Sequence, residues 1–209
     1  LGAAFTDFGG WQMPVRYTSD LAEHHAVRQA AGLFDISHMA EFLVTGPGAG
    51  EFLDYALAGR LSTMAVGKAK YSLLLDDDGG IIDDVIVYCL GADWFLVIAN
   101  AGNREAVAEA FAARAPRAPI AASFYGAPTE GVHTFGLVAG ADVARIEDVS
   151  DACSLIAVQG PRAREIVAAT AGVDTSGLDE LGYYAALQST FDGEPLLIAR
   201  TGYTGEDGY

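Results

Sequence analysis

The sequence has 209 residues, 51% hydrophobic and 19% charged, enough for a buried core in one or two domains. A formal net charge of −16 with only 12 Lys and Arg argues against nucleic acid and anionic membrane surfaces, which are held through basic side chains. No apolar run reaches membrane-spanning length, and Cys89 and Cys153 form no C-x-x-C pair, so a reducing cytoplasm fits better than a disulfide framework or a thiolate zinc site.

The chain opens on Leu1-Gly2-Ala3-Ala4-Phe5 without a starting Met or a basic, apolar signal region, so either the sequence is a fragment, the reading taken, or the mature end lies here. Phe5 to Pro14 is aromatic, glycine-rich and without period, an ordered loop packed by its rings. A helix follows, capped by Asp20 with Glu23 three residues on and stopped at Gly32. Leu33 to Val44 carries strand-like residues up to the turn pair Gly46-Pro47, and Glu51 to Ala58 is helical by pattern. Three strands are expected next, at Tyr71 to Leu75, Ile81 to Leu90 and Trp94 to Ala99, joined by turn-rich segments into an antiparallel meander. Asn103 then caps a helix to about Arg114, closed by Pro116. This order suggests an α+β fold.

From Ala115 to about Val149 the composition shifts to Ala, Pro and Gly, the mark of a long insertion or inter-domain connection. Structure is expected again at Leu155 to Gln159 as a strand, at Gly160-Pro161 as a turn, and in a helix to about Ala171. Leu196 to Arg200 is the last strand.

Few residues invite a chemical reading. Gly46, Gly48 and Gly50 follow a strand and precede a helix, but Glu51 stands where a dinucleotide fingerprint needs its third glycine, so they read as a turn. His24 and His25 are adjacent, point about 100° apart on a helix and lack metal-ligand spacing, so no metal site is expected. The strand Ile81 to Tyr88 is more informative. Period 2 places Ile82, Asp84, Ile86 and Tyr88 on one face and Ile81, Asp83, Val85 and Val87 on the other. Either both aspartates cap turns or pair with Lys68, Lys70 or Arg104, or one of them handles protons in a site. Arg200 through Tyr209 packs three glycines, two hydroxyls and two acids after a strand, and reads equally as a ligand-facing loop or a structural bulge.

Several of these stretches, in order, resemble one family. They are Phe8-Gly9-Gly10-Trp11-Gln12-Met13-Pro14-Val15-Arg16-Tyr17, Glu23-His24-His25-Ala26-Val27-Arg28, Gly32-Leu33-Phe34-Asp35-Ile36-Ser37-His38-Met39, Gly67-Lys68-Ala69-Lys70-Tyr71-Ser72, Asp78-Gly79-Gly80-Ile81-Ile82-Asp83-Asp84, Val158-Gln159-Gly160-Pro161, and Arg200 through Gly208. Together they look like the T-protein of the glycine cleavage system, the folate-dependent aminomethyltransferases.

The resemblance implies the folate-binding aminomethyltransferase fold, with antiparallel sheets and flanking helices in a three-domain clover-leaf. Here the first domain would be discontinuous over 1–41 and 153–209, the second inserted as 42–152, and the C-terminal β domain absent. The implied reaction moves the methylene of the aminomethyl-dihydrolipoyl arm of H-protein to tetrahydrofolate and releases ammonia. By the resemblance Asp84 is the catalytic aspartate beside folate N10, and Met39, Tyr71, Ile86, Tyr88, Asn100, Tyr183 and Tyr203 line the folate. Tetrahydrofolate as co-substrate, lipoylated H-protein as partner and a cytoplasmic location follow. One departure is the stretch 119–144, longer and richer in Ala and Gly than the family pattern. Two rival readings share the fold: the folate domain of sarcosine and dimethylglycine dehydrogenases, and a non-catalytic relative in iron–sulfur cluster assembly. The latter's cysteine-bearing motif is not found around Cys89 or Cys153.

Overall fold

The computed structural model describes residues 2–125, 143–202 and 204–209. The chain divides into two compact units, one of Leu1–His38 with Leu155–Tyr209 and one of Met39–Ser154.

The second unit is built on a six-stranded sheet. Its strands are β4 (Ala40–Thr45), β5 (Ala69–Leu75), β6 (Ile81–Gly91), β7 (Trp94–Ala99), β8 (Ala121–Tyr125) and β9 (Val143–Asp148), arranged β5-β6-β7-β4-β9-β8. β5, β6 and β7 form the antiparallel meander that the sequence suggests, and β8 pairs with β9 in parallel. The stretch after Ala115 is therefore more than a connection. Residues 121–125 and 143–148 are sheet strands, and the centre of the Ala/Gly-rich 119–144 segment lies outside the described residues. Short apolar runs such as Ala121-Ala122-Ser123-Phe124-Tyr125 carry little period of their own, and their pairing is set by the strand beside them.

Two helices cover one face of this sheet, α2 (Ala49–Ala56) and α3 (Arg104–Arg114). Phe52 and Leu53 of α2 and Val107 and Phe111 of α3 pack on Ala40, Phe42 and Val44 of β4, Val85, Val87 and Cys89 of β6, and Phe95 and Val97 of β7. Alternation along each strand leaves the other face to Glu41, Leu43, Tyr71, Asp84, Ile86, Tyr88, Leu96 and Ile98.

The first unit holds three antiparallel pairs: β1 (Ala4–Phe8) with β2 (Trp11–Arg16), β3 (Gly32–Asp35) with β10 (Ile156–Gln159), and β11 (Ala185–Phe191) with β12 (Glu194–Arg200). Phe5 to Pro14 is thus a hairpin and not a ring-packed loop. Gly9 and Gly10 both take positive φ, 59° and 90°, which a two-residue hairpin turn needs, while Phe5, Phe8 and Trp11 remain exposed. Helix α1 (Asp20–Gln29) begins one residue earlier than expected. Ser19 is its cap, accepting from the Ala22 N–H, while Glu23 Oε1 accepts from the amides of Tyr17, Thr18 and Ser19. These bonds favour the ionised Glu23 and lower its pKa. Helix α4 (Ala163–Ala169) follows β10 with Arg162 at its cap, two residues later than a helix opening at Pro161.

Phe111 is fully buried and meets Phe42 and Phe52 edge to face at 5.5 and 5.8 Å. Phe111→Ala is expected to cost about 3–5 kcal/mol, because the three-ring contact cannot close over the void. Urea unfolding of the variant beside the parent measures this.

Candidate functional site

The paired aspartates of β6 have different fates. Asp83 points to the helix side and is 3% exposed. Its Oδ2 accepts from the Asn100 backbone N–H at 2.9 Å, and its Oδ1 from Asn100 Nδ2 at 2.9 Å and Asn103 Nδ2 at 2.6 Å. Three amide donors replace the water lost on burial, so the carboxylate is tolerated as a structural anchor. Asn103 stands at the N-cap of α3 without capping through its side chain, because that side chain is bound to Asp83.

Asp84 faces the other way and is exposed. Asn100 Nδ2 lies 3.1 Å from Asp84 Oδ1 and 3.1 Å from its backbone oxygen. Neither aspartate pairs with Arg104, whose guanidinium is held by Asp148 at 2.8 Å and by Asp151 at 2.9 Å.

The register assembles the rest of the face. Leu73 lies opposite Asp84, and Tyr71 opposite Ile86. Ile86 is opposite Ile98, and Ile98 in turn opposite Glu41. One step beyond the pair Ala40–Ala99, Met39 and Asn100 flank the same rim. Met39, Tyr71, Asp84, Ile86, Tyr88 and Asn100 therefore share one sheet face, with Asp84 and Asn100 at a polar rim and Ile86 and Tyr88 in the buried interior. Tyr71 is 47% exposed. A flat ligand with an apolar body and polar edges suits such a surface.

Tyr183 belongs to the first unit, exposed and edge to face with Tyr184 at 4.7 Å. Tyr203 lies outside the described residues. The segment after β12 has a structural explanation. Asp207 is held by Arg200 at 2.7 Å, Glu206 by Arg28 at 3.0 Å, and the Thr204 hydroxyl donates to Gln159 Oε1 at 2.9 Å. Gln159 is fully buried, and a Cβ at Gly202 or Gly208 would come closer than 3 Å to it, which is why glycine stands at both. His24 and His25 meet as rings at 5.8 Å, and among the described residues no group of His, Cys, Asp and Glu is arranged to hold a metal. No described helix is long and apolar enough to cross a membrane.

The sequence reading missed Glu41. It sits in an apolar strand, 2% exposed, with neither carboxylate oxygen hydrogen-bonded among the described residues. Burial, then the nearby Asp148, push its pKa up to about 7. A lone acid within Ala40-Glu41-Phe42-Leu43-Val44 was the available signal, of the kind that singled out Asp83 and Asp84.

The model of the family described as "GCVT N-terminal domain" matches residues 1–209. The chain belongs to this family. It is 47% identical over 214 residues to the aminomethyltransferase of Cutibacterium acnes and 49% identical over 222 residues to that of Corynebacterium jeikeium. It covers all of itself and 51% of each, so it spans about half the length of these relatives. Among solved structures, the glycine cleavage system aminomethyltransferase T of Bartonella henselae matches 99% of the chain and 48% of its own, with 35% identity and a TM-score of 0.72. The heterotetrameric sarcosine oxidase of Corynebacterium sp. U-96 matches 90% of the chain and 80% of its own at 17% identity and a TM-score of 0.52, a likeness of fold alone.

Two predictions follow from the GCVT-family sheet. Asp83→Ala leaves three amide donors unanswered and is expected to cost about 2–4 kcal/mol, whereas Asp84→Ala is expected to stay within about 0.5 kcal/mol, both read by urea unfolding. Glu41 supplies a pH signature. Its folded pKa lies above the ordinary 4.5, so its contribution to stability is full below about 4.5 and is lost as pH rises through about 7. Glu41→Gln cannot ionise. Its stability relative to the parent is expected to rise by about 1–3 kcal/mol between pH 5 and pH 8, measured by urea unfolding at each pH.

Proposed function

We propose that this chain forms the folate-facing part of an aminomethyltransferase of the glycine cleavage system. In the full-length protein it would pass the methylene of aminomethyl-dihydrolipoyl H-protein to tetrahydrofolate with release of ammonia, giving 5,10-methylenetetrahydrofolate. The observation that carries this reading is the sheet face of the second unit, where the Asp84–Asn100 pair borders a wall of Tyr71, Ile86 and Tyr88. Family membership and the aminomethyltransferase names of the relatives support it.

The donor set fits a reduced pterin with its aminobenzoyl ring. Ile86 and Tyr88 offer apolar area, Tyr71 stands exposed beside them, and Asp84 offers a carboxylate at the open rim. Tetrahydrofolate supplies the two nitrogens that take up the methylene. Asp84 would accept a hydrogen bond from the nitrogen nearest the rim, orient it, and take its proton as the new bond forms. Its negative charge would also stabilise the positive charge that develops on the transferred carbon. Asn100 holds that carboxylate in place, and Asp83 holds Asn100. Met39, and Tyr183 and Tyr203 of the first unit, complete the set of folate-lining residues in this reading, with the first domain discontinuous around the second. Lipoylated H-protein is the partner and the cytoplasm the location that go with this activity.

Asp84→Asn in the full-length protein is expected to keep the fold and tetrahydrofolate binding while losing roughly 10²-fold or more in kcat. Methylenetetrahydrofolate formation from aminomethyl-loaded H-protein and tetrahydrofolate measures both the variant and the assignment. Rapid formation with ammonia release sustains the reading. Folate binding without transfer from H-protein would replace it with the folate domain of an amine dehydrogenase, and unchanged turnover by the variant would remove Asp84 from the mechanism.

A further inference from the structure

Strand β4 places one acidic residue on the site's sheet face that the reading above does not use. Met39 stands at the rim in line with Asn100 and Asp84, and the next row inward is Ile86, Ile98 and Glu41. Strand spacing of about 4.8 Å and a two-residue step of about 6.8 Å put the Glu41 Cα roughly 8 Å from that of Asn100 and roughly 12 Å from that of Asp84. Glu41 is thus one residue pair in from the rim, 2% exposed, with both oxygens unpartnered among the described residues.

Among the described residues no donor reaches the carboxylate. Ser150 serves the Glu41 backbone, its Oγ accepting from the Glu41 N–H at 2.9 Å, and the same hydroxyl lies 2.6 Å from Asp148 Oδ1. The charged and titratable groups acting on Glu41 are Asp148 on β9, Arg104 on α3, and Asp151 in the turn that follows β9, while the Cys153 thiol feels Glu41 in return. Arg104 is spent on the two aspartates. Burial first, and then Glu41 and Asp148, push the Cys153 thiol up to about 11, so it stays neutral and adds no positive charge. A buried carboxylate in a negative field with two open oxygens calls for a small, positively charged N–H donor.

We propose that Glu41 receives the nitrogen of the aminomethyl group, as substrate ammonium before transfer and as the ammonium ion released afterwards. This deepens the aminomethyltransferase reading and rests on it. The step balances. The carbon–nitrogen bond of the protonated aminomethyl group breaks with its electron pair leaving on nitrogen, a secondary amine of the acceptor forms the new carbon–nitrogen bond, and the proton that this amine sheds goes to the ammonia. The acceptor's second N–H nitrogen then displaces the dihydrolipoyl sulfur, which leaves with the carbon–sulfur electron pair and takes up that nitrogen's proton as the free thiol. The resulting ammonium rests against the ionised Glu41 carboxylate.

The test uses the full-length protein and two independent readouts. The titration of the Glu41 carboxyl is followed by difference infrared spectroscopy and assigned by its loss in Glu41→Gln, with ammonium chloride as the probe and tetramethylammonium chloride as the control that carries the charge but no N–H donor. Ammonium is expected to lower the titration midpoint from about 7 by a unit or more, and tetramethylammonium to leave it unmoved. In turnover, Glu41→Gln is expected to raise KM for aminomethyl H-protein at least tenfold and to abolish product inhibition by ammonium, with tetrahydrofolate affinity unchanged. A midpoint indifferent to ammonium overturns the proposal, and so does a variant that keeps the parent KM and inhibition. If Glu41→Gln does not fold, Glu41→Asp assigns the band by its shift, and the ammonium dependence of the parent's band then decides alone. If the parent titrates with ammonium yet transfers nothing from H-protein, the ammonium site stands and the aminomethyltransferase reading falls.

Discussion

The buried carboxylate of Asp83 is the constraint on which the candidate site depends. It accepts from the backbone and side chain of Asn100 and from the side chain of Asn103, and so ties the middle of β6 to the corner where β7 turns into α3. A carboxyl group at that depth is acceptable only because three amide donors surround it. Fixing Asn100 from the helix side aims its remaining amide hydrogen at Asp84 on the opposite face. One structural aspartate therefore sets the geometry of its exposed neighbour.

The same alternation organises the whole second unit. Every strand residue next to a core side chain faces the other way, so the sequence that fills the helix-covered core with Phe42, Val85, Val87, Phe95 and Val97 also composes the site face from Glu41, Asp84, Ile86, Tyr88 and Ile98. The register then decides neighbours. Asp84 meets Asn100 because Ile86 meets Ile98 two residues along, and Glu41 joins that row through the β4–β7 pairing. A slip of one residue would exchange the faces, burying Asp84 under the helices and turning the valines onto the site face.

Charge is placed sparingly. Arg28, Arg104 and Arg200 are each committed to carboxylates, and Arg114 to the backbone oxygens of Ala56 and Leu75. Burial first, and then the nearby Asp148 with little positive charge to offset it, raise the pKa of Glu41. In the first unit the acids of the glycine-rich segment after β12 are neutralised by arginines, and Gln159 organises the glycines around itself.

The sequence by itself determined the β5–β6–β7 meander and the opposition of Asp83 to Asp84, because strand period and turn residues are local properties. It also carried the family resemblance, whose motifs are contiguous. The hairpin of β1 and β2 was legible in Gly9-Gly10 but hidden by its aromatic residues, and β11 was missed because Ala185-Ala186-Leu187-Gln188-Ser189-Thr190-Phe191 has weak alternation and gets its register from β12. The strands β8 and β9 were hidden in an Ala-rich stretch for the same reason. Tertiary structure alone decided which aspartate is the anchor, since its donors Asn100 and Asn103 lie 17 and 20 residues away in sequence. It alone decided that Glu41 shares a face with Asp84, because strands β7 and β4, distant in the chain, must be paired before a register between them exists.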